Sequence, residues 1–179
     1  MTVAVFVDTN VLVYARDARE PRKQARATAW LEFLWRQQSG RTSTQVLSEY
    51  YVTLTRKLEP RVPSVEAWDD ASAFLAWRPQ PIDEAVMQRG REIEQRYRLV
   101  WWDSLIVAAA QLQGCALLLS EDLQDGADYG GVTVRNPFTL EVSEPTATYA
   151  VATVAARRHP PRGRPRRATA GQPEGRARL

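Results

Sequence analysis

Apolar and polar positions alternate in a way that predicts strands and helices in turn. Val3–Val7 (VAVFV) is a short apolar run bounded by polar residues, which predicts a strand buried on both faces, as in a parallel sheet. Asn10–Ala18 predicts a short helix. Pro21 suits the first turn of a longer helix that runs to about Gln38, with Gly40 closing it. Thr42–Thr44 predicts a short strand. Between Gln45 and Leu58, the residues Leu47, Tyr50, Tyr51, Leu54 and Leu58 form one helical stripe, which Pro60 and Pro63 end. Ser64 is placed to cap a helix whose apolar face is Val65, Trp68, Ala71 and Leu75. After Pro79 and Pro81, Asp83–Tyr97 is helical with Val86, Gly90, Ile93 and Tyr97 aligned. In WWDSLIVAAAQLQG, Leu105–Ala110 is apolar all round and predicts a central, buried helix that Gly114 ends. Cys115–Leu119 (CALLL) and Val132–Arg135 predict two further buried strands, the last one closing at Asn136-Pro137-Phe138. Strands that alternate with helices make the class α/β with a mostly parallel sheet.

Charge changes the picture at one place. The formal net charge is +3, but residues 151–179 hold eight arginines against the single acid Glu174, a balance of +7. The first 150 residues therefore hold 16 basic and 20 acidic groups, a balance of −4. The segment from 142 to 179 is rich in Arg, Pro and Gly and is expected to be a disordered basic tail, leaving a domain at 1–141. Such a tail is either an electrostatic arm for RNA or an extension without a role.

Composition also excludes chemistry. The chain has one cysteine, Cys115, and one histidine, His159, so it has neither an intramolecular disulfide nor the ligands of a structural zinc site. A nucleophilic triad would have to run through His159, which lies among prolines and arginines of the tail. The start MTVAVFVDTN has no basic region and meets Asp8 early, and no apolar run approaches the ~18 residues of a spanning helix, so a cytoplasmic location away from membranes is expected.

Four acids stand where a parallel α/β protein builds its site, outside the carboxyl ends of the strands. Asp8 follows the first strand, Glu121 and Asp122 follow CALLL, Asp103 opens the buried helix, and Glu49 lies a turn into the helix after the Thr-rich segment. Each also has a plain explanation: an Asx turn or cap for Asp8, a helix cap for Asp103, a loop position for Asp122 and a solvated face for Glu49. If they converge, two carboxylates about 4 Å apart repel by roughly 4 kcal/mol at an effective dielectric near 20, so the cluster needs a cation. With no His or Cys at hand, an oxygen-bound Mg²⁺ or Mn²⁺ fits, and the chemistry implied is hydrolysis of a phosphodiester.

FVDTNVLVYA, the acid in VLSEY, WWDSLIVAAA and LLLSEDL together resemble the successive motifs of PIN-domain proteins, most closely the toxin ribonucleases of VapBC-type toxin–antitoxin pairs. The likeness covers roughly residues 3–138. It implies a three-layer α/β/α domain around a mostly parallel sheet, Mg²⁺- or Mn²⁺-dependent endoribonuclease activity, homodimers and a cognate antitoxin protein. By motif it implies Asp8, Glu49, Asp103 and Asp122 as the catalytic and metal-holding acids, with Thr9, Asn10 and Ser104 supporting them through hydrogen bonds. The family's Ser/Thr-x-Asp pattern selects Asp122 over Glu121, although the aromatic residue that commonly follows is missing here. The alternatives are a PIN-type module that binds RNA or protein without cutting and a housekeeping PIN nuclease. A receiver domain lacks its late lysine, since the only lysines are Lys23 and Lys57; an Asp-nucleophile phosphatase lacks its second acid, position 10 being Asn. No P-loop motif occurs. Trp101 and Trp102 are expected to pack in the core or an interface rather than to stack on bases, and Arg56 and Lys57 to sit at a solvated helix end rather than on phosphate. Cys115 is expected to act as a small buried hydrophobe.

Overall fold

The computed structural model describes residues 3–140. The expected tail at 142–179 lies outside them. Five strands make one sheet: β1 (Val5–Val7), β2 (Gly40–Arg41), β3 (Leu117–Leu119), β4 (Asp128–Tyr129) and β5 (Val132–Arg135). Their order is β2-β1-β3-β5-β4, parallel throughout except for β4, which runs antiparallel to β5. Six α-helices are described: α1 (Thr9–Tyr14), α2 (Pro21–Gln37), α3 (Thr44–Val52), α4 (Ser64–Ala73), α5 (Glu84–Tyr97) and α6 (Trp101–Leu112). They lie on both sides of the sheet.

The central strands are apolar because both faces are covered. Val5, Phe6, Val7, Leu117, Leu118 and Leu119 are all buried. Between Ser104 and Ala110, α6 is buried on every side, as its uninterrupted apolar run requires. It packs most extensively against α5. Gly90 makes that approach possible, since a Cβ there would stand 2.8 Å from Leu105 Cδ2. Gly114 ends α6 with a φ of +67°.

Several local expectations are corrected. The long second helix ends where expected, at Gln37, but its left-handed cap is Gln38, with φ 54°, rather than Gly40. Gly40 instead belongs to β2, where a Cβ would meet the Trp77 ring at 2.5 Å. The short strand is thus Gly40–Arg41, and Thr42–Thr44 leads into α3, with Ser43 as its cap. The helix expected to reach Leu58 changes at Thr53 into one wider, π-type turn, Thr53–Lys57, which keeps Leu54 and Leu58 buried. Ser64 is inside α4 rather than its cap. The face α4 buries is Ala67 and Ala71, while Val65, Trp68 and Leu75 are exposed. Small residues let α4 approach its neighbours, and the large side chains are left outside. β4 carried no expectation.

Register positions the site. Val7 pairs with Leu119, so β1 and β3 end side by side, and the Asp8 N–H donates to the Leu119 carbonyl at 3.0 Å. The residues that follow these strands, Asp8 and Ser120, therefore emerge together.

Candidate active site

Asp8 caps α1 with its own side chain, Oδ1 accepting the Thr9 N–H at 2.7 Å. Its other oxygen, Oδ2, accepts from the Ser120 hydroxyl at 2.7 Å and from Asn10 Nδ2 at 3.1 Å. Asn10 Nδ2 also donates to Asp122 Oδ2 at 3.1 Å, so one amide spaces the two strand-end acids. Asn10 Oδ1 accepts the Glu121 N–H, and Ser120 Oγ accepts the N–H groups of Asp122 and Leu123. Ser120 is thus the hub of the β3 end: it donates to Asp8 and caps the turn that carries Asp122.

The third acid reaches this cluster from α3. Glu49 Oε2 accepts from Thr9 Oγ1 at 2.8 Å, and Oε1 from Gln45 Nε2 at 3.0 Å. Gln45 is itself buried and donates from the same nitrogen to the Trp102 carbonyl at 3.3 Å. Asp103 lies in the first turn of α6, half-buried, close enough to Asp122 and Glu49 for both charges to act on it. Val100, not Asp103, occupies the cap position of α6.

One expected placement differs. Ser104 is fully buried and donates to the Val100 carbonyl at 3.0 Å, one turn back along its own helix, rather than to a carboxylate. Glu121, the acid the motif did not select, lines the same groove but pairs with Lys23, which also donates to the Tyr14 hydroxyl at 3.0 Å and lies 4.3 Å from the centre of its ring. Asp122 and Glu121 are neighbours in sequence with opposite assignments. Ser120 and Gln45 were not among the expected site residues. Ser120 had a signal in its motif; Gln45 had none.

The electrostatics are those of acids without a counter-ion. Among the described residues, no ion pair involves Asp8, Glu49, Asp103 or Asp122. Burial pushes the Asp8 carboxyl up to about 6; the Ser120 and Thr9 hydrogen bonds oppose this, and the charges of Asp122 and Glu49 add to it. Asp103 is also raised, first by burial and then by Asp122 and Glu49. A cation would relieve all of these at once. Among the described residues no three Asp, Glu, His or Cys side chains form a closed ligand set. Mg²⁺ does not need one, because it is held by one or two carboxylates and keeps several waters. The all-oxygen donor set and the raised Asp8 fit such an ion.

A groove of about 940 Å³ opens over the cluster, with Thr9, Asn10, Glu49 and Asp122 in its wall.

The PIN domain family model matches residues 5–124. The chain belongs to the PIN-domain family. Its PIN domain is similar in fold to VapC20, a sarcin–ricin loop cleaving toxin of Mycobacterium tuberculosis. The two share 19% identity, with a TM-score of 0.44 over 66% of this chain and 90% of that one. Comparison with curated protein sequences gave no match. Among the described residues of the PIN domain, no helix is long and apolar enough to cross a membrane.

Proposed function

We propose that this PIN domain is a Mg²⁺- or Mn²⁺-dependent endoribonuclease and the toxin member of a type II toxin–antitoxin pair. The observation that carries the catalytic reading is the convergence of Asp8 and Asp122 on one Asn10 amide, with Glu49 joined through Thr9. Acids brought together without a cation serve no packing purpose and cost stability. The toxin reading rests on the motif likeness of FVDTNVLVYA and WWDSLIVAAA.

Asp8, Asp103 and Asp122 would hold the ion, directly or through water, with Glu49 completing the cluster. The ion, when bound, offsets negative charge on a phosphate oxygen and makes water a better nucleophile at neutral pH. The chain's own residues supply orientation. Thr9 and Ser120 fix both oxygens of Asp8, leaving one lone pair on Oδ1 free. Asn10 sets the spacing between Asp8 and Asp122. Thr9 and Gln45 hold the two oxygens of Glu49. Lys23 keeps Glu121 out of the cluster, which supports Asp122 as the fourth acid.

Induction in a bacterial host tests the reading. The wild-type chain arrests growth and the Asp8→Asn chain, expressed equally, does not; co-expression of the antitoxin restores growth. Arrest by both chains would remove the catalytic reading. RNA binding by the wild type with no cleavage in Mn²⁺ would favour a non-cutting PIN module.

A further inference from the structure

Trp102 is 59% exposed, although it stands in the first turn of α6, which is buried on every side from Ser104 to Ala110. The expected core position belongs to Trp101, which is half-buried and packs against the core. Trp102 lines the groove that holds the acids, next in sequence to Asp103. Its backbone is fixed there by Gln45, the amide that also holds Glu49. Among the described residues, no ring or cation stacks on its indole. An unshielded indole leaves apolar surface in water that a ligand in the groove would cover.

Lys57 lines the same groove from the wide turn that follows α3. It is exposed, and no ion pair between described residues engages it. Arg19, the other groove cation, differs: Asp17 takes its guanidinium with two bonds of 2.9 Å. The groove therefore presents one open aromatic face, one uncommitted cation and a cluster of acids. Bases have π-faces and phosphates are anions, so a polynucleotide satisfies the first two together. A base can cover Trp102 only if it is out of a duplex stack.

We propose that Trp102 is the platform on which an unpaired base stacks beside the carboxylates, and that Lys57 takes a phosphate of the same strand. The base so held is out of its duplex stack and lies beside Asp103, the next residue along α6. This deepens the nuclease reading and rests on it for the role of the groove. Trp102 is a specificity-determining residue, and its effect is read on binding.

The test uses the full chain carrying Asp8→Asn and a fluorescent single-stranded oligoribonucleotide of mixed sequence, free and annealed to its complement, followed by anisotropy. The parent binds the single strand more tightly than the duplex. Trp102→Ala weakens single-strand binding roughly 5- to 150-fold, the range of one lost base–aromatic stack, and Trp102→Phe stays within a few-fold of the parent. Trp68, equally exposed on α4 but absent from the groove wall, is the control, and Trp68→Ala leaves binding unchanged. Lys57→Ala lowers the slope of log affinity against log salt by about 0.7, the share of one phosphate on a single strand. Unchanged single-strand affinity in Trp102→Ala overturns the proposal, as does a parent that binds neither strand form. A changed oligomeric state with unchanged RNA affinity also overturns it, because Trp102 is then a protein interface. Failure of the nuclease reading looks different: wild-type chain leaves RNA intact while Trp102-dependent binding persists.

Discussion

Asp8 is the residue at which folding and function pull against each other. It is 8% exposed, and burial raises its carboxyl from 3.8 to about 6. Across that window the folded chain keeps a proton that the unfolded chain has lost. Stability from this group is therefore full below about pH 4 and lost as pH rises through about 6, a change of about 3 kcal/mol. Urea unfolding of the metal-free chain between pH 4 and 7.5 should show that decline, and Asp8→Asn should flatten it. Ser120→Ala should act on the same group from the other side. It removes the hydroxyl that lowers the Asp8 pKa and leaves the Asp122 and Leu123 N–H groups without their acceptor. The expected cost is about 1–3 kcal/mol, with the pH decline moved upward. The acids were legible in the sequence because strand ends and an apolar helix fix where Asp8, Asp122 and Asp103 emerge. Gln45 was not, because a glutamine on a helix has no spacing that announces its partner. Ser104 misled because a motif position does not say whether a hydroxyl turns to a carboxylate or back along its own helix.

Among the elements, legibility follows length and burial. β1, β3, α5 and α6 were readable from runs or periodicity because each is covered by neighbours and its apolar residues record that. β2 and β4 have two residues each, too short for alternation to register. α4 was read with the wrong face because large apolar residues were assumed to point inward, whereas Ala67 and Ala71 allow the close contact. Gly40 shows the same rule in a strand. Its lack of a side chain makes room for the Trp77 ring, which is 4% exposed and cannot yield easily. Gly40→Ala should lower stability by about 1–3 kcal/mol, the range for overpacking a filled core. Gly114→Ala, at a positive φ with open space around it, should cost about 1 kcal/mol from backbone strain alone. Thermal denaturation of the two variants side by side checks the difference.

For the whole molecule, the sign of the charge is the informative quantity. The net +3 suggests a nucleic-acid binder, yet the first 150 residues carry −4, and the described groove is walled by acids. A cation held by these acids would offset that charge and favour the approach of a phosphate. Divalent ions should therefore stabilise the chain as ligands do, by about 2.7 kcal/mol at a hundred times the dissociation constant. Calorimetry with and without Mn²⁺ should show the rise in Tm, EDTA should reverse it, and Asp8→Asn should reduce it. The same dependence should appear in turnover, where it bears most directly on the carboxylate cluster. Purified wild-type chain, incubated with total cellular RNA in Mn²⁺, should cut it at discrete sites. Excess EDTA should stop the cutting, and Asp8→Asn should lower it by at least a hundredfold while retaining the wild-type circular dichroism spectrum. Equal cleavage by the folded Asp8→Asn chain, or by wild type in EDTA, would contradict the assignment of Asp8, Glu49, Asp103 and Asp122 as a metal-dependent nuclease site.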